Sequence, residues 1–249
     1  MKILLYSILL ALCSINLSNA QPAFEIMKQV ELQSQKVQSQ KFSVYMLIEN
    51  AEGKKRERYF EITKKISNDY SKSLIKFYKP ANIKNTALLN HNQLGQVTDP
   101  TQWLFLPAFK TKKQISSENK NDSFMGSDFT ILDMAGRATE KDKHEIIKDN
   151  ENHYIIKSIP KDPNDNYGMI VYLISKQYNM PVTIEFYNRD MSILKILNNY
   201  DIKQDHNMYF SSYSIMENKK QNSKTTIVIQ EHDFDIQITD NQVGIMALK

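Results

Sequence analysis

Cysteine is almost missing from this chain of 249 residues: Cys13 is the only one. It lies in a stretch that reads as removable. Lys2 gives a positive start, residues 3–12 form a short apolar run, and Ser18-Asn19-Ala20 offers a small-residue cleavage pattern. Residues 1–20 are therefore expected to be a signal peptide, since the apolar run is too short to stay in a bilayer as a helix. A lipidated Cys13 is disfavoured, because Leu12 stands where a small residue is expected. The mature chain, from residue 21, would have no thiol. That excludes disulfide staples, thiol catalysis and thiolate metal sites, and it suits a periplasmic address.

Arginine and long apolar runs are also scarce. Arg56, Arg58, Arg137 and Arg189 are dispersed, and lysines alternate with acids for a net charge of +4, or +3 without Lys2. No basic face for nucleic acid emerges, and only a mild attraction to anionic lipid head groups remains. About 229 residues can bury one core without a staple, so a single domain over residues 21–249 is expected.

Motifs for chemistry are missing too. His91, His144, His153, His206 and His232 are scattered, without metal-ligand spacing. His144 and His153 could meet across a hairpin, but no third ligand is nominated. The run from Asp162 to Gly168 imitates the start of a calcium loop, with its Gly one place late and Leu173 where the bidentate Glu belongs. Glu231-His232-Asp233 is a triad in sequence alone, because neighbours in a strand point to opposite faces. No nucleophile elbow, phosphate loop or dinucleotide fingerprint occurs. The reading is therefore of a non-enzyme with no catalytic residue, no metal site and no cofactor.

Two periodicities are present. Ala23, Met27, Val30, Ser34 and Val37 fall at helical spacing on a Gln/Lys-rich surface, predicting one helix over residues 23–40. Beyond it the period is two. Strands are predicted over residues 42–48, 56–62, 69–78, 84–89, 95–106, 144–148, 153–159, 168–176, 182–188, 192–202, 208–216, 224–229 and 234–238, separated by Gly, Pro, Asn and Asp turns. The series is put at about ten or eleven strands at hairpin spacing, in a mainly β chain with one curved antiparallel sheet. So many sequential strands must curl, and an incompletely closed barrel needs a cover for its mouth and edges.

Residues 103–133 are the most telling. Trp103, Leu104, Phe105 and Leu106 stop at Pro107; Lys110, Lys112 and Lys113 follow; then comes Ser123-Phe124-Met125-Gly126-Ser127-Asp128-Phe129. Trp103, Phe105, Phe109, Phe124, Met125, Phe129 and Met134 crowd together, either as ordinary β core or as the lining of a lipid-accepting cavity. The Trp-x-x-x-Leu-Pro-Ala element, the basic strand and the Ser-Phe-Met-Gly-Ser-Asp-Phe element resemble the signature of the outer-membrane lipoprotein-sorting family, the LolA-like periplasmic lipid carriers. Residues 182–202 resemble that family's later strands loosely.

The resemblance implies an unclosed antiparallel barrel whose lid is the N-terminal helix and the 124–129 loop. It implies a lipid-binding cavity at Trp103, Phe105, Leu106, Phe124, Met125 and Phe129. The implied cargo is lipoprotein acyl chains or another lipid. The implied partners are an inner-membrane donor transporter, of resistance-nodulation-division type in the side branch carrying this element, and an outer-membrane acceptor. An ion pair from Asp128 to Lys112, Lys113 or Arg137 is expected to latch the loop, against the plainer role of turn formation. A periplasmic protein-binding scaffold module of a membrane-transport system is the alternative. An integral outer-membrane barrel is disfavoured by Lys-rich strands such as residues 69–78.

Overall fold

The chain folds back on itself so that its first and last strands are neighbours. A computed structural model describes residues 20–249, and the expected signal peptide, with Cys13, lies outside the described residues but for Ala20. One helix, α1 (Ala20–Gln33), is followed by β1 (Ser39–Glu49), β2 (Lys55–Ile66), β3 (Tyr70–Lys79), β4 (Ala87–Gln93), β5 (Thr101–Leu106) and β6 (Thr111–Gln114). A long connection leads to β7 (Asp142–Asp149), β8 (His153–Pro160), β9 (Met169–Ser175), β10 (Met180–Tyr187), β11 (Ile193–Asp205), β12 (Met208–Asn218) and β13 (Ser223–Phe234). All thirteen form one antiparallel sheet in the order β6-β5-β4-β3-β2-β1-β13-β12-β11-β10-β9-β8-β7. Two hairpin meanders thus join where β1 pairs with β13. The sheet is not closed: β6 and β7 are its two edges.

Alternation places every second residue inward. Val44, Met46 and Ile48 of β1, Phe60 of β2, Ile75 and Phe77 of β3 and Leu88 of β4 form one buried cluster, which Phe124 joins. Ile156, Ile170, Tyr172, Ile174, Phe186 and Met216 form a second on the other half of the sheet, where Ala23 and Met27 of α1 dock. Met134 and Ile227 touch both clusters, so the two share one interior. A third cluster lies on the outer face, where Leu74, Ala87, Leu89 and Phe105 pack under Ile238, Val243 and Leu248 of the C-terminal segment.

Several expected boundaries change. The helix ends at Gln33 instead of residue 40, because the Ser34 hydroxyl and N–H both bond back to the Glu31 carbonyl. Val37, read as part of the helical stripe, packs instead with Met208, Phe210 and Phe234. The strand expected to start at residue 95 starts at Thr101, past Pro100. The two strands expected around residues 224–238 are one, β13: the polar interruption is a bulge against Ser43/Val44, and Ile238 lies beyond the strand's end. β6 is not among the strands predicted from periodicity, and the sheet's thirteen strands exceed the ten or eleven expected.

Candidate functional site

The connection over residues 115–141 runs from one edge of the sheet to the other across its inner face. It is tied down repeatedly. Ile115 N–H donates to the Gln102 carbonyl at 2.8 Å, and Gln102 Nε2 donates to the carbonyl of Ile131 at 2.8 Å. Phe124 N–H donates to Phe129 O at 2.8 Å, closing a tight loop through Met125 and Gly126, both at positive φ. A side chain at position 126 would be strained at φ +78° and would press on the Arg56 guanidinium, whose Nη2 donates to the Gly126 carbonyl at 3.0 Å.

Polar anchors fix the rest. Asp128 accepts from the hydroxyls of Ser223 and Thr225 on β13, and its N–H donates to Thr225 Oγ1 at 2.9 Å. Lys195 of β11, 2% exposed, sits 2.5 Å from the Asp133 carboxylate and donates to the Asp128 carbonyl at 3.3 Å. Its ammonium also lies over the rings of Phe186 and Tyr167. Tyr167 Oη donates to Asp133 at 2.8 Å, and the buried phenol's pKa is raised by desolvation and by that carboxylate. Arg137 forks onto Asp142, with Nε donating at 2.7 Å, and reaches Asp165 at 2.9 Å. Its pKa is raised, since these carboxylates outweigh the cost of burial.

The expected latch is therefore corrected in its partners. Asp128 takes hydroxyls because β13 presents Ser223 and Thr225 beneath it. Arg137 does hold the connection, but through Asp142 and Asp165. Lys112 donates to the carbonyl of Ile245, on the C-terminal segment. The Lys195–Asp133 pair, which ties the connection to β11, is one that sequence reading missed; a lone lysine in an alternating strand gives no sign of facing inward.

Under this connection and the inner side of α1 lies a cavity of about 590 Å³. Its floor is β9–β12, through Tyr172, Ile184, Phe186, Leu197 and Met216; its roof includes Met27, Val30, Phe129 and Leu132. Such a volume and such walls are those of a small-molecule site, typically about 300–1,000 Å³ and mostly apolar.

Of the residues expected to line a cavity, Phe129 does so. Phe124 is 2% exposed and wedged against Phe60 and Phe77, with ring centroids 6.4 and 5.6 Å away, and Met125 packs on the same cluster. Trp103 and Phe105 belong to the outer-face cluster, because they share strand parity with each other and not with Leu104, which packs inward. Leu106, with Leu104's parity, lies on the inner-face side but not on this cavity. The histidine pair does not form either: His144 faces Ser158, its Nε2 2.8 Å from the Thr139 carbonyl, and His153 pairs across the ladder with Ser175. Among the described residues, no three His, Cys, Asp or Glu side chains are grouped to hold a metal ion.

The comparisons with known proteins agree with this geometry. A family profile described as "Uncharacterized protein" matches residues 69–248. The chain belongs to that family, and its fold is LolA-like. An outer membrane lipoprotein-sorting protein domain from Vibrio parahaemolyticus superimposes with a TM-score of 0.85 at 27% identity, covering 92% of this chain and 99% of that one. A DUF1329 family protein from Desulfovibrio piger gives 0.86 at 21% identity, over 93% and 99%. A LolA superfamily protein from Nitrosomonas europaea gives 0.70 at 14%, over 92% and 99%. The resemblance first seen in residues 103–133 thus extends over nearly the whole chain. No curated protein matches it.

Proposed function

We propose that the protein is a periplasmic carrier that takes the acyl part of a lipid or lipoprotein into the cavity beneath α1 and conveys it toward the outer membrane. The observation that carries this reading is the apolar cavity of about 590 Å³, roofed by a helix and a connection and not by strands. A roof of that kind can lift without breaking a sheet ladder. The similarity to a lipoprotein-sorting domain supports the cargo class.

The energetics fit a carrier that must also release. Burying a sixteen-carbon chain is worth roughly 12 kcal/mol gross, at about 0.8 kcal/mol per CH₂. Three chains would exceed the ceiling of roughly 18–21 kcal/mol seen for non-covalent affinity. Lifting the roof costs free energy that offsets part of the gain, and its closure helps expel cargo to an acceptor. In this reading Phe129 and Leu132 are the lid's contact with cargo, and Lys195–Asp133, Arg137–Asp142 and Asp128–Thr225 are its catches. An inner-membrane transporter of resistance-nodulation-division type is the proposed donor, and an outer-membrane component the acceptor. Binding and release require no bond to be made or broken, so no enzymatic step is invoked.

Mass spectrometry of organic extracts from the protein, purified from a Gram-negative periplasm without detergent, tests the proposal. Stoichiometric lipid or lipopeptide is expected. An empty extract, together with failure to take up acyl chains from vesicles, would overturn it in favour of a protein-binding scaffold.

A further inference from the structure

The cavity is polar at one end. Along the inner face of β1–β5 the apolar cluster gives way to Gln40, Lys64, Ser71, Ser73, Asn90 and Asn92. Most of these neutral groups satisfy one another or the roof. Gln40 Nε2 donates to the Val37 carbonyl, Asn90 Nδ2 to Ser73, and Asn92 Nδ2 to the Ala135 carbonyl at 2.8 Å. Among the residues that line the cavity, two buried atoms are left over. Nε2 of Gln33, a residue 3% exposed at the end of α1, has no hydrogen-bond partner among the described residues, and neither has Asn92 Oδ1. Both residues line the cavity. Leaving such groups unmade in a protein interior is costly unless something else meets them.

Lys64 lines the same end. The cavity's other charged residues are each engaged: Glu31 with Lys28 and Thr139, Asp133 with Lys195, Arg137 with Asp142, Lys141 with Asp99. Lys64 has neither an ion pair nor a hydrogen bond among the described residues. Burial alone lowers its pKa, to about 8, with no carboxylate opposing the fall. An unpaired ammonium, a free amide N–H and a free amide oxygen therefore line the same cavity.

We propose that this end is a head-group subsite for an anionic amphiphile: Lys64 and Gln33 Nε2 bind a phosphate or carboxylate oxygen, Asn92 Oδ1 accepts from an adjoining hydroxyl or amide N–H, and the tail lies over β9–β12. The inference rests on the carrier reading and narrows its cargo to a lipid bearing a negative charge close to its tail. A neutral tail would bury as much apolar surface but would leave the ammonium and both amide atoms unanswered.

Three probes with the same sixteen-carbon tail decide it: palmitate, hexadecyl phosphate and hexadecanol, titrated into delipidated full-length protein. The native protein is expected to bind at least one anion about ten-fold or more tightly than hexadecanol, the margin of a charge-assisted hydrogen bond. Whichever anion is favoured identifies the head group as carboxylate or phosphate. Lys64→Met should abolish the preference by bringing the affinity of the favoured anion to that of hexadecanol in the same variant, and Lys64→Arg should retain it. Equal binding of all three probes, or a preference that survives in Lys64→Met, overturns the subsite and leaves the carrier reading intact. Failure of every probe to bind, hexadecanol included, overturns the carrier reading and the subsite with it.

Discussion

Single residues divide into those that build the interior and those that face the cavity, and two phenylalanines separate the roles. Phe124 fills the inner face against Phe60 and Phe77, whereas Phe129 touches the cavity. Alanine at either should cost about 3–5 kcal/mol in denaturant unfolding, as loss of a buried ring does. Only Phe129→Ala should also change acyl-chain uptake per folded molecule. A second prediction concerns pH. The buried His144 ring is satisfied when neutral, with Nε2 donating to the Thr139 carbonyl and Nδ1 accepting from Ser158, and burial lowers its pKa below 6.5. In the window just below 6.5 the unfolded chain takes up a proton that the folded one refuses, so stability is full above that value and falls as pH drops through it. Urea titrations at pH 7.5 and 5.5 should show the fall, and His144→Gln should shrink it, leaving a smaller slope from His91, whose pKa burial also lowers. Residue-level roles were the least legible part of the sequence. Alternation says that Trp103 and Phe105 share one face and Leu104 the other, but not which face is inward; the C-terminal segment claimed the face with the larger side chains.

Elements were more legible than the contacts between them. Period-two patterning located the strands because half-buried strands must alternate, and it failed where polarity had another cause. The Gln230–Asp233 stretch falls between two expected strands but is the bulged end of β13, still laddered to β1. The helix was overextended because Val37 continued the apolar stripe, while the local bond from Ser34 to Glu31 stopped it. The roof latch was invisible because Lys195 and Asp133 are 62 residues apart in the chain. That pair carries a prediction. Lys195→Met or Asp133→Leu alone leaves a buried charge unpaired and should lower stability by about 3–5 kcal/mol. The double variant should recover only part of the loss, because Tyr167 Oη and Thr130 N–H still lack their acceptor, as measured by a double-mutant cycle in denaturant, and it should release bound lipid faster if the pair restrains the roof.

At the scale of the molecule, the open sheet was expected from resemblance and curl, not from period; nothing in the alternation says that β6 and β7 stay apart. The 115–141 connection spans them on the inside, while the C-terminal segment covers the outside of β3–β5. The latter covers Leu74, Leu89, Trp103 and Phe105. Ending the chain at Phe234 would bare that apolar face, and exposed patches of this kind associate. Light scattering on a size-exclusion column should find the shortened protein oligomeric, with the full chain monodisperse at the same concentration.

The meeting of β1 with β13 has a kinetic meaning. Each meander is local in sequence and can form early, but the ladder uniting them joins residues such as Gln40 and Phe234 from opposite ends of the chain. Contacts that distant are slow to form, because a large loop must close before they contribute. Until then β1 presents an unpaired edge, open to wrong partners. The two half-sheets are therefore expected to fold first and dock last, with assembly of the cavity the slow step, which refolding kinetics would show as the β1–β13 ladder forming in the last phase.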